Sequence, residues 1–112
     1  MTSHSDHPVL RLLDPDEQLQ AHAEASDAHL VVTSRRVGVL VNDRFSLAIG
    51  FHELRRVQFD IERDRPATLV LVPDAAKDPP QVLSIPPAQY RRVGEALVLI
   101  GERLGAGMDE AV

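Results

Sequence analysis

Seventeen carboxylates, twelve basic side chains and five histidines carry most of the chemistry available to this 112-residue chain, and cysteine is absent. Without thiols, disulfide scaffolds, thiolate zinc sites and thiol catalysis are excluded. His22 and His29 flank the turn Ser26-Asp27-Ala28 symmetrically, placed to lie side by side across a hairpin, with Glu24 on the same face as His22. Two imidazoles and a carboxylate are zinc ligands by type, but a durable site needs further ligation and outer-shell support. The reading is therefore surface histidines, with no metal and no other cofactor. His4 and His7 stand in the N-terminal stretch and carry less weight still. Ser3, Ser5, Ser26, Ser34, Ser46 and Ser84 lie in no nucleophile-elbow context, and the six glycines form no phosphate loop. Asp60 and Glu62 share one face of a strand, the face expected to be wet. These residues do not describe an enzyme.

Eleven of the twelve basic residues are arginine. Arg35, Arg36 and Arg44, with Arg55-Arg56 further on, form a candidate anion patch, since several guanidiniums converging on one surface bind phosphate or carboxylate. Neighbouring residues of a strand point to opposite faces, so at most one of each adjacent pair serves a given surface. The plainer expectation pairs them with Asp43, Glu53 and Asp60 at little net energy. A net charge of −5 counts against nucleic acid and against anionic membranes.

The elements that must position these groups are legible from periodicity. Glu17 to Ala25 alternates, with Leu19, Ala21 and Ala23 on one side and Gln18, Gln20, His22 and Glu24 on the other. His29–Thr33 and Val37–Val41 are rich in β-branched residues, and Asn42-Asp43 is a hairpin signal because both types tolerate positive φ. Phe45, Leu47 and Ile49 alternate with smaller residues, and after Phe51-His52-Glu53 so do Val57, Phe59 and Ile61. Ala67–Val72 and Gln81–Ile85 complete seven strands, separated by a proline-bounded loop. After Pro86-Pro87 the period changes: Tyr90, Val93, Leu97, Ile100 and Leu104 fall on one face of a helix from about Pro87 to Leu104, with Gly105 as its stop. The expected core is Leu19, Leu30, Val32, Val39, Leu47, Ile49, Val57, Phe59, Ile61, Leu69, Leu71, Leu83 and Ile85 from the strands, with Tyr90, Val93, Leu97 and Ile100 from the helix.

This order predicts a mainly β chain, a seven-stranded antiparallel barrel or orthogonal sandwich capped by one C-terminal helix. It divides into a disordered N-terminus (1–8), a single domain (9–105) and a frayed tail (106–112). Three segments resemble the bacterial pleckstrin-homology-like (PH-like) domain family. Leu13-Asp14-Pro15-Asp16-Glu17 looks like the family's leucine-turn-glutamate start of the first strand, and Leu30-Val31-Val32-Thr33-Ser34-Arg35-Arg36-Val37 is similar to its hairpin between strands two and three. Phe51-His52-Glu53-Leu54-Arg55-Arg56-Val57 resembles the segment leading into strand five. The resemblance implies a binding module for lipid, peptide or assembly partners. In lipid-binding members, lysines and arginines around the first loop hold the phosphates; here Glu24-Ala25-Ser26-Asp27-Ala28-His29 carries none.

The function expected is therefore a non-catalytic protein-interaction or assembly module, with a protein partner or self-association. The alternative is a peripheral membrane or lipid-headgroup binder. No apolar run approaches a membrane span or a signal peptide, so the expected location is the cytoplasm. With Leu97 at the centre of the buried helical face, Leu99 falls on the far side at about 200°. Leu99, Val98 and Arg92 are thus the candidate interaction surface.

Overall fold

A computed structural model describes residues 8–62 and 65–111. Seven strands run as β1 (Leu19–Glu24), β2 (His29–Thr33), β3 (Arg36–Val41), β4 (Arg44–Gly50), β5 (Leu54–Asp60), β6 (Ala67–Pro73) and β7 (Gln81–Ile85), followed by the helix α1 (Tyr90–Ala111). They form a four-stranded sheet in the order β1-β2-β3-β4 and a three-stranded sheet in the order β5-β6-β7, with every pairing antiparallel. The sheets do not close into one barrel. A 3-10 turn at Phe51–Glu53 carries the chain from one sheet to the other, and the Gly50 amide donates to the Glu53 carboxylate across it at 3.1 Å. At another corner the Ser26 amide donates to the Ser84 carbonyl at 2.9 Å.

The hairpin signal between β3 and β4 is real. Asn42 and Asp43 both adopt left-handed backbone, with φ of 52° and 63°, the geometry whose twist matches the flanking strands. The alternation of β1 holds for Ala21 and Ala23, but a register shift between Leu19 and Ala21 separates Leu19 from that face. Leu19 joins Val31 and Leu40 in a second small core, packed by Leu10, Leu13 and Phe45. The four-stranded sheet is therefore covered on both faces, and for this reason β2 and β3 are apolar almost throughout. Gly38 makes room there: a Cβ on it would stand 2.6 Å from the Phe45 ring.

The main core lies between the sheets under α1 and includes Leu30, Val32, Val39, Leu69, Leu71 and Ile85. Val57, Phe59, Tyr90 and Leu97 pack against it but stay half-buried. Ile61 is not core. It is 60% exposed, because β5 ends at Asp60 and the alternation stops before reaching it.

The helix differs from expectation at both ends. A 3-10 turn occupies Pro87–Gln89, α1 starts at Tyr90, and it continues past Gly105 to Ala111. Among the described residues no glycine has positive φ, so Gly105 does not act as a left-handed stop. The buried arc is centred on Val93, Ala96 and Ile100, about 60° from the Leu97-centred arc expected from periodicity. That rotation carries Leu99 to the edge of the core, where it packs, and leaves Val98 outermost at 59% exposure. Of the expected disordered N-terminus, residues 1–7 lie outside the described residues, as does Val112 of the expected tail.

Candidate functional site

One tightly connected polar cluster sits where the N-terminal segment meets the β2–β3 turn. The side chain of Glu17 is fully buried. It accepts two parallel hydrogen bonds from Arg36, Nε to Oε2 at 2.8 Å and Nη2 to Oε1 at 2.9 Å. The Thr33 hydroxyl donates to Oε2 at 2.5 Å, and the Asp14 amide donates to Oε1 at 3.1 Å. Thr33 Oγ1 in turn accepts from the amides of Arg35 and Arg36 at 3.1 and 3.0 Å. Burial alone would push the Glu17 carboxyl up. The hydrogen bonds from Arg36, Thr33 and Asp14 outweigh it and hold the group below its ordinary value. The Glu17 contact outweighs desolvation at Arg36 too, and raises its pKa.

These are the residues of the first two resembling segments. Their geometry is that of a structural clasp: both carboxylate oxygens of Glu17 are engaged within the fold. Arg35 completes the clasp by pairing with Asp14 and Asp16, and the Arg36 guanidinium also lies 5.0 Å over the Phe45 ring. The candidate anion patch does not assemble. Arg35 and Arg36 are bound to carboxylates at one end of β3, and Arg44 stands exposed beyond its other end. Their partners are Asp14, Asp16 and Glu17, not the Asp43, Glu53 and Asp60 expected from the sequence.

The two histidines share a face of the β1–β2 hairpin as diagonal neighbours, not as a directly opposed pair. Glu24 is the residue opposite His29, and His22 faces Val31. No group of three or more His, Asp or Glu among the described residues is placed to hold a metal. Arg92 lines a small cavity of about 140 Å³ with His22, Glu24 and Gln89, on the β1 side of the helix, and the Glu24 amide donates to Gln89 Oε1. The three residues of the expected helix surface thus divide between this flank (Arg92), the core edge (Leu99) and open solvent (Val98).

Two further concavities contrast in chemistry, beside a third of about 290 Å³ that lies against β7 at Val82 and Leu83. A mouth of about 490 Å³ opens between the β1–β2 and β3–β4 turns, lined by Glu24, Asp27, His29 and Asp43 with smaller neighbours, and by no lysine or arginine. The other is a groove of about 330 Å³ between β5 and α1, formed by Leu54, Val57, Leu97, Ile100 and Leu104 and bordered by Arg55 and Arg56. Gly101 lies in it with open space where a Cβ would stand. Arg55 and Arg56 are exposed and form no salt bridge among the described residues. β5 is an end strand of its sheet, so one of its backbone edges is unpaired. Periodicity flagged Val57, Leu97 and Leu104 as apolar, but an opening between them is a tertiary fact. The signal available was Arg55-Arg56 at the head of an edge strand.

The chain is similar to the crystal structure of a pleckstrin homology domain from Shewanella amazonensis SB2B. The TM-score is 0.62 at 17% identity, over 84% of this chain and 89% of that one. No family model matches the chain, and no curated protein matches it. At this identity the likeness shows the fold: two antiparallel sheets and a C-terminal helix in a PH-like arrangement. No helix among the described residues is long and apolar enough to cross a membrane.

Proposed function

We propose that this PH-like chain is a non-catalytic protein-interaction or assembly module whose contact surface is the open edge of β5 and the groove beside it. The observation that carries the reading is that groove. It combines leucine, isoleucine and valine side chains, two guanidiniums at the rim that have no salt bridge among the described residues, and the edge of an end strand. An extended segment laid there gains main-chain hydrogen bonds along the edge and buries apolar side chains in the groove. The mouth between the turns supports a lipid headgroup poorly, because Glu24, Asp27 and Asp43 repel the phosphates that such a ligand presents.

A photo-cross-linking side chain tests the reading when substituted at Gly101 and, separately, at Asp27 in the source cells. Protein adducts of defined mass are expected from Gly101, diminished by Arg55→Glu, and none from Asp27. Co-sedimentation with anionic phospholipid vesicles that is lost on Arg55→Ala, with no protein adducts, overturns it in favour of a membrane surface.

A further inference from the structure

The edge of β5 has a composition that suits one partner in particular. A register shift between Leu54 and Arg56 ends the regular pairing of β5 with β6, so the regular stretch is Arg56–Asp60, with Gln58 at its centre. Val57 and Phe59 pack against the core on one face. Arg56, Gln58 and Asp60 are exposed on the other, where Gln58 Nε2 donates to Asp60 Oδ2 at 2.8 Å. Neither Arg56 nor Asp60 has a salt-bridge partner among the described residues. Beyond the strand, Glu62 already pairs with Arg65.

Fold this stretch onto itself about a two-fold axis through Gln58. In that antiparallel register Arg56 of each copy lies opposite Asp60 of the other, Val57 lies opposite Phe59, and the two Gln58 residues meet on the axis. Both faces are complementary. The unpaired charges of opposite sign satisfy one another twice, and the half-buried apolar pair extends the core of each copy across the junction. A run of like charges would protect an exposed edge from pairing; opposite charges spaced symmetrically about the strand centre invite it. The other end strand of this sheet, β7, is engaged: Ser84 accepts from Ser26, and Gln81 accepts from Ser46 Oγ at 3.0 Å.

We infer that the partner at the β5 edge is a second copy of this chain, joined antiparallel about Gln58 so that the two three-stranded sheets become one continuous sheet. This rests on the protein-contact reading above and names its partner.

Sedimentation velocity over a wide concentration series reads the association directly. Asp60→Arg, and equally Arg56→Asp, sets like charges opposite each other at both ends of the pairing and raises the dimer dissociation constant about tenfold or more. The double exchange Arg56→Asp with Asp60→Arg reverses both pairs and restores wild-type association. Because the chain has no cysteine, Gln58→Cys introduces a lone thiol on the axis. Opposed Cα atoms about 4.5–5.5 Å apart there suit a disulfide. With diamide added as the two-electron oxidant, it cross-links far faster than Val82→Cys, an exposed position on β7. Circular dichroism melts of each variant confirm that the fold is kept. A wild type that stays monomeric, a double exchange that fails to restore association, or equal cross-linking at the two positions overturns the pairing. If the wild type is monomeric while Gly101 still yields adducts with other proteins, only the identity of the partner falls. If those adducts are absent too, the protein-contact reading falls with it.

Discussion

Glu17 shows how one residue can serve the fold rather than a reaction. Its buried carboxylate ties the approach to the first strand to Thr33 and Arg36 at the β2–β3 turn, and neutralising it leaves the part-exposed Arg36 without its partner. Glu17→Gln is expected to lower the unfolding free energy by about 2 kcal/mol, measured by urea denaturation. The pH dependence has a definite sign. The folded-state pKa of Glu17 is depressed, so its contribution is present above the ordinary carboxylate range and is lost as pH falls through the folded value. Wild type should therefore lose stability on acidification more steeply than Glu17→Gln. Equal slopes would contradict the depressed folded-state pKa of Glu17. The residue types of this clasp were legible as spacing, since Glu17, Thr33 and Arg36 all sit in the resembling segments. Their mutual hydrogen bonds were not, because they join positions 16 and 19 residues apart. Arg36 consequently read as a member of an anion patch.

At the scale of elements, two glycines predict opposite outcomes for the same substitution. In β3, a Cβ on Gly38 would meet the Phe45 ring and, at 3.1 Å, Val31 Cγ2, so Gly38→Ala overpacks the outer core and should cost about 1–2 kcal/mol. In α1, nothing stands within 4 Å of a Cβ on Gly94, so Gly94→Ala should stabilise by about 0.8–1 kcal/mol through helix propensity alone. Thermal melts of both variants check the pair; a shift in the same direction for both would contradict the packing described. Strand periods located β2 and β7 to the residue and foresaw the Asn42-Asp43 turn. Leu19 is core as expected but on the opposite face to Ala21, and Ile61 is exposed, because a register shift and a strand end interrupt alternation without marking the sequence. The helical face was misjudged in the same way. Ala96 is wholly buried, yet its small side chain did not register as a core position, and omitting it rotated the expected face away from Leu99.

Across the whole molecule, an acidic chain leaves few places where apolar surface and arginine side chains meet. The turns carry carboxylates and the clasp uses up Arg35 and Arg36, whereas the β5–α1 groove joins apolar side chains to two guanidiniums that have no salt bridge among the described residues. Backbone amide chemical shifts followed through a dilution series test this most directly, since they report on every element at once. The account predicts concentration-dependent shifts confined to Arg55–Asp60 and to the helix flank of Tyr90, Leu97 and Leu104, with Ser26–His29 unchanged. Shifts that fall on the Ser26–His29 turn, or on Val98 and Arg92 with β5 unmoved, would contradict it.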